Sequence, residues 1–340
     1  MDGSKIQHIV IIIQENRSFD NLFQGFPGAD TQSYGYISSG AKVTLKPLGL
    51  ASKWDLEHGS RGFFVACDGQ GSYPGTDCKM DGFNLEWVRY CGQSGEPRCP
   101  IKYPEYSYVP QSETKPYFAM ATQYVLADKM FASNFDEGSF VAHQYLIAGQ
   151  ASAAVDSPTY SPWGCVGGRK DTVVTETQQR TYGHRIQACF NNMTLGDELD
   201  TAGISWRFYA INKDNDWSGY QAIRHIYNGP DWNTNIVAPS TQFFTDVKNG
   251  ALPEVSWITP SCQNSDHDYC DSNHGPHWVA TLVNAIGESQ YWKSSAIFVV
   301  WDDPGGFYDH VPPKRVDYDG LGFRVPLLVI SPYAKQHYVS

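Results

Sequence analysis

Three stretches of this chain are so apolar and so rich in β-branched residues that they fit only a sheet covered on both faces. Lys5–Gln14 (KIQHIVIIIQ), Ser295–Trp301 (SAIFVVW) and Val325–Ser331 (VPLLVIS) run without a helical period. A continuous apolar run of this length reads as a buried central strand. The first two end abruptly at polar side chains, Glu15-Asn16-Arg17-Ser18 after one and Asp302-Asp303 after the other. In open α/β sheets ligands bind beyond the carboxyl ends of the strands, so chemistry is expected at these two places.

Helical patterns lie between the strands. Pro116–Met130 has apolar residues at helical spacing, and Ser139–Ala148 reads as a turn leading into a helix. Thr194–Thr201 reads as a short helix with Thr194 as cap, Asp197 at its third position and Gly203 beyond its end. Ser240–Asn249, stopped by Gly250, is another helix, and His277–Ser289 puts Val279, Leu282, Val283 and Ile286 on one face. Ser205–Ala210 and Val255–Thr259 read as further strands. Strands alternating with helices imply an α/β sandwich with a largely parallel sheet. Residues 25–110 and 150–192 are rich in Gly, Pro, Tyr and Ser, and they read as loop-like insertions.

Hydrophobic residues make up 41% of the 340, and charged residues only 18%, which excludes a disordered chain. The length fits about two domains, or one large domain with insertions. The net charge of −11 argues against non-specific binding to nucleic acid or anionic membranes. The apolar run Ile9–Ile13 is far short of the ~20 residues of a membrane-spanning helix. Eight cysteines, at 67, 78, 91, 99, 165, 189, 262 and 270, fall into four sequence-local pairs without a CxxC motif. They read as bridges of a secreted or periplasmic protein, with a signal peptide removed before Met1. The local pairing 67–78, 91–99, 165–189 and 262–270 closes its loops at little entropic cost, although eight cysteines allow many other pairings.

Glu15, Asn16, Asp302 and Asp303 are hard oxygen donors suited to Ca2+, Mg2+ or Mn2+. The competing interpretation is solvated loops and an ordinary Asp-Asp turn. Adjacent carboxylates at a strand end repel unless a proton or a cation lies between them. Ser139 stands at a helix start, where backbone N–H groups favour an anion. Its surroundings are not the GxSxG turn of serine hydrolases. His58, His143, His267, His274, His277 and His310 lie in polar or Gly-rich surroundings, where an imidazole can serve as acid, base or ligand.

Several stretches together resemble the bacterial phospholipase C/acid phosphatase superfamily. They are IVIIIQENRSFD at 9–20, DLEH at 55–58, KMDGF at 79–83, YLIAGQ at 145–150, VSWITP at 255–260 with Asp266-His267, and VWDDPGGFYDHVPP at 300–313. The resemblance covers nearly the whole chain. It implies an alkaline-phosphatase-like α/β/α sandwich with a mostly parallel central sheet and disulfide-stapled insertions. The whole of 1–340 then forms a single phosphoesterase catalytic domain, with cap-like insertions at about 25–110 and 150–192 and a C-terminal segment continuing past Ser340. Carried over by motif, Glu15, Asn16, Asp302 and Asp303 hold one divalent metal ion. Ser139 is both ligand and nucleophile, and His58, Asp266, His267 and His310 complete the catalytic set. Relatives usually read Pro-Asn-Arg just after the nucleophile. Here the stretch is Glu137-Gly138-Ser139-Phe140-Val141-Ala142-His143, so His143 is expected to alter contacts with phosphate or headgroup.

The implied activity is a secreted, metal-dependent phosphoesterase that forms a phosphoseryl intermediate, in the manner of an acid phosphatase. A phospholipase C acting on lipid headgroups is the nearest alternative. A non-catalytic secreted protein that binds sugar or lipid is an alternative of another class. The partners implied are small phosphate esters or phospholipid headgroups, with no nucleic acid.

Overall fold

The computed structural model describes residues 5–68, 78–136 and 138–340. Its centre is an eight-stranded sheet. In chain order the strands are β1 (His8–Gln14), β2 (Val125–Ala127), β3 (Trp206–Tyr209), β4 (Ile236–Val237), β5 (Val255–Ile258), β6 (Ser295–Trp301), β7 (Leu327–Ile330) and β8 (Tyr338–Val339). They lie in the order β4-β3-β5-β1-β6-β7-β2-β8. β1 pairs in parallel with β5 and β6, and β3 in parallel with β4 and β5. β7 pairs antiparallel with both β6 and β2, so it alone in the sheet runs against the rest.

Alternation along β1 builds the layers. Val10 and Ile12 pack on one side with Tyr117, Met120, Val279, Leu282 and Ile286, from the helices Gln111–Gln123 and Gly275–Gly287. Ile13 packs on the other side with Val141 and Ile147 of the helix Ser139–Ala148. Burying such a side chain stabilises by roughly 1.5–3 kcal/mol relative to leaving it exposed. The molecule is therefore an α/β/α sandwich. The region 25–110 covers the strand ends and has its own aromatic core, in which Phe63, Phe64, Phe83 and Tyr106 meet Phe135, Tyr308 and Phe323. The cysteines join in the local pairing, 67–78, 91–99, 165–189 and 262–270, each at bonding distance.

Two local expectations differ from the structure. The helix expected over Pro116–Met130 starts at Gln111 and ends at Gln123, and Val125–Ala127 is a strand instead. Pairing of Val125, Leu126 and Ala127 with Val329, Leu328 and Leu327 outweighs the helical spacing. Residues 150–192 are not simply loop. Ala154–Val155, Thr172–Glu176 and Tyr182–Gln187 form an antiparallel sheet seeded by the β-branched TVVTE run.

Candidate active site

The register of the sheet brings the two polar strand ends together. Gln14 and Trp301 lie side by side at the ends of β1 and β6, and the Asp302 N–H donates to the Gln14 carbonyl at 3.0 Å. Asn16 then turns with a φ of 59°, a left-handed conformation that Asn tolerates better than most residues. Its backbone N–H donates to Asp302 Oδ1 at 3.1 Å. Gly305 closes the opposite loop at a φ of 63°, where a Cβ would lie 2.2 Å from the Asn16 carbonyl oxygen. Only glycine permits that approach.

A third element supplies the hydroxyl. Asp136 Oδ1 accepts the Gly138 N–H at 3.0 Å, and Ser139 begins the helix Ser139–Ala148. The neighbouring Glu137 lies outside the described residues. Ser139 Oγ is 3.2 Å from Glu15 Oε2 and 3.3 Å from Asp303 Oδ2. Asn16 Nδ2 sits 3.0 Å from each Asp303 carboxylate oxygen and 3.4 Å from Ser139 Oγ. The five residues expected to hold an ion thus meet in one buried group.

His143 lies one turn beyond Ser139, on the same helix face. Its Nε2 is 2.8 Å from Glu15 Oε1 and 3.5 Å from Asp302 Oδ2. This corrects the expectation of a headgroup contact, because His143 is buried behind Glu15 and does not line the cleft. Burial opposes charge on its ring, but Glu15 and Asp302 outweigh that and push it up to about 10. Burial and the repulsion of Asp302 push Glu15 up to about 7, whereas the His143 contact holds Asp302 below the usual carboxylate range in spite of burial.

These residues fit a divalent cation. Three carboxylates, Glu15, Asp302 and Asp303, crowd together away from solvent with His143 as the one basic side chain against them. Asn16 Nδ2, with two hydrogens, faces four acceptors: Ser139 Oγ, both oxygens of Asp303 and His58 Nε2. Asn16 Oδ1 is buried without a hydrogen-bond partner among the described residues. An all-oxygen donor set of this charge suits a hard ion.

Ser139 opens onto a cleft of about 470 Å3 that His58 and His267 also line. The His58 Nδ1–H faces the Leu56 carbonyl at 2.7 Å, which leaves Nε2 to accept from Asn16 Nδ2 at 3.0 Å. His267 Nδ1 lies 3.0 Å from Asp268 Oδ1, and Trp217 stacks on its ring at 6.0 Å. Burial opposes charge on His267, but the close carboxylate of Asp268, with help from Asp55, raises it to about 9.

Two expected residues are not brought to the cleft. The Asp266 carboxylate accepts from the Tyr117 hydroxyl at 2.7 Å and from Trp301 Nε1 at 3.0 Å, on the core side of the sheet. The charge that faces His267 comes from the next residue, Asp268. His310 Nδ1 is 2.7 Å from Asp20 Oδ2 and its Nε2 is 3.1 Å from Asp30 Oδ1, while Arg324 pairs with Asp309 at 2.8 Å. That network ties the loop after β1 to the loop after β6. Sequence reasoning passed over Asp268 and Asp55 as functional residues, although Asp268 directly follows His267 and Asp55 opens the DLEH stretch that holds His58.

Two loops bearing carboxylates, a helix-borne hydroxyl and two cleft histidines are compatible with a divalent cation on an α/β/α scaffold. The chain belongs to the Phosphoesterase family, whose profile matches residues 6–340. It is 23% identical to the non-hemolytic phospholipase C of Burkholderia pseudomallei over 414 aligned positions, covering 98% of this chain and 52% of that protein. It is 27% identical to phospholipase C B of Mycobacterium tuberculosis, covering 97% of this chain and 69% of that protein. The chain therefore spans about half the length of the first relative and 69% of the second. Among solved structures, an alkaline phosphatase superfamily protein from Vibrio parahaemolyticus aligns at 13% identity with a TM-score of 0.41, over 99% of this chain and 62% of that one.

Proposed function

We propose that this chain is the catalytic domain of an extracytoplasmic, cation-assisted phosphoesterase that cleaves phosphate esters through a phosphoseryl intermediate. The observation that carries this reading is the placing of Ser139 Oγ within 3.3 Å of both Glu15 Oε2 and Asp303 Oδ2, at the floor of a cleft walled by His58 and His267. The four disulfides support a life in an oxidising compartment, and no helix among the described residues is long and apolar enough to cross a membrane.

Glu15, Asn16, Ser139, Asp302 and Asp303 would hold the ion. When bound, a divalent cation there lowers the pKa of the hydroxyl and neutralises charge on the phosphoryl oxygens. Ser139 Oγ passes its proton to Glu15 Oε2, 3.2 Å away, and attacks phosphorus in line, and the bond to the leaving oxygen breaks as the Oγ–P bond forms. His267, held protonated by Asp268, gives its proton to the departing alkoxide. It then takes a proton from the water that releases phosphate, and Glu15 returns its proton to the departing Ser139 oxygen. His58 fixes the Asn16 amide through Nε2. Asp266 and His310 act as scaffold, away from the reacting atoms.

Small phosphomonoesters are the first substrates to expect. A second reading, phospholipase C, draws on the cleft's aromatic wall of Trp163, Tyr182 and Trp217, on the exposed Trp87, Tyr90 and Tyr269, and on the names of the relatives. The non-catalytic alternative predicts a degraded donor set, and all five donors are present. Turnover of an aryl phosphate and of phosphatidylcholine vesicles, with and without a chelator, separates these readings. The wild type is expected to hydrolyse the aryl phosphate, and Ser139→Ala to lose on the order of 10⁴-fold or more in kcat. Unchanged turnover in Ser139→Ala overturns the nucleophile.

A further inference from the structure

We propose that Asp55, His58 and His267 form a second cation site on the wall of the cleft, one that takes a transition-metal ion such as Zn2+ and stops turnover when filled. One ligand atom from each of the three lies within 4.8 Å of the other two. All three line the cleft, so an ion has a path to them.

The surroundings resemble those of a nitrogen-ligated metal site. Metal-binding histidines hold one ring nitrogen against a carbonyl or carboxylate and ligate with the other. Here His58 Nδ1 faces the Leu56 carbonyl at 2.7 Å, so an ion on Nε2 takes the place of the Asn16 amide now 3.0 Å away, and His267 Nδ1 faces Asp268 Oδ1 at 3.0 Å. The two rings stand 5.7 Å apart, steeply inclined. Asp55 is only 7% exposed, and its Oδ1 has no hydrogen-bond partner among the described residues, nor has Asp268 Oδ2. Among the described residues the ion-pair partners of Asp55 are distant, His58 Nδ1 at 3.7 Å and Arg89 Nη1 at 3.7 Å.

Donor chemistry separates this site from its neighbour. The Glu15, Asn16, Ser139, Asp302 and Asp303 group offers oxygen alone, the preference of Ca2+, Mg2+ and Mn2+. Two imidazoles and a carboxylate favour zinc and its transition-metal neighbours. An ion on His267 occupies the lone pair that binds the transferable proton, so the leaving group loses its acid. The inhibition therefore rests on the acid role given to His267, whereas the binding does not.

The test titrates Zn2+ into Ca2+-loaded protein by calorimetry, for the wild type, Asp55→Asn and His58→Gln, with circular dichroism as the check on folding. The wild type is expected to bind one Zn2+ more than either variant, or to bind it at least about tenfold more tightly. Inhibition of aryl phosphate turnover should follow the same isotherm. Equal stoichiometry and affinity in all three proteins overturns the site. Loss of Zn2+ binding in the variants, together with full wild-type activity at saturating Zn2+, keeps the site and overturns the acid role of His267. A chain with no turnover at all counts against the first centre only, because the isotherms still decide the second.

Discussion

Asp268 sets the charge on His267, the group proposed as general acid. Its carboxylate is buried 3.0 Å from Nδ1, close enough to keep the imidazole charged up to about pH 9 in spite of burial. A general acid must carry its proton, so turnover of a poor leaving group is predicted to hold through neutral pH and to fall as pH rises through about 9. Removing the charge with Asp268→Asn takes away what raises the histidine, so the alkaline limb moves to lower pH and kcat at neutral pH falls, roughly 10²-fold. Rate profiles on an alkyl phosphate check this; an unmoved limb assigns the acid to another group. At this scale legibility in the sequence was uneven. Glu15, Asn16, Asp302 and Asp303 stood out because each directly follows an apolar run, and strand ends are where such sheets bind. Asp266 and Asp268 flank the same histidine, and the sequence carries nothing that says which carboxylate faces it. Orientation is settled by Tyr117 and Trp301, which claim Asp266 from other parts of the chain.

The loops after β1 and β6 act as one element. Ser18 Oγ donates to the Tyr308 carbonyl at 2.8 Å, the Asp20 N–H donates to Asp309 at 3.2 Å, and Gly305 packs its α-carbon against Asn16. Gly305→Ala forces a methyl onto the Asn16 carbonyl at a backbone angle that L side chains rarely adopt. The predicted cost is roughly 2 kcal/mol of stability, and cation affinity should fall with it. Urea titration and calorimetric cation binding measure the two, and an unaffected affinity would show that the loops do not need each other. Local elements were readable where their signals are local. The helix Leu195–Ala202 has Thr194 and Asp197 in a capping box, with Gly203 left-handed at its end, as the sequence spacing predicts. Val125–Ala127 was not readable, since its partner strand lies some two hundred residues further on.

At the scale of the whole molecule, the site is an assembly of distant parts. β1, the helix from Ser139 and the end of β6 each supply donors, and the buried excess of negative charge sets them against one another. A cation binding the folded state alone stabilises it by mass action, so chelation is predicted to lower the thermal midpoint and Ca2+ or Mn2+ to restore it. At a hundredfold excess over Kd the stabilisation is about 2.7 kcal/mol. A midpoint indifferent to chelator and ion would mean that the carboxylates are held by protons and His143 alone. The α/β class was legible at this scale because buried parallel strands are apolar throughout. The antiparallel setting of β7 was not, because an apolar run carries no direction.

Ser139 is the residue proposed to attack phosphorus within this centre. Mixing the cation-loaded protein with an aryl phosphate, quenching in acid and mapping the peptides by mass spectrometry tests it most directly. One phosphoryl group is expected on the peptide that contains Ser139, absent after chelation and absent from Ser139→Ala. Steady turnover with no phosphopeptide, or with the label on another residue, contradicts it.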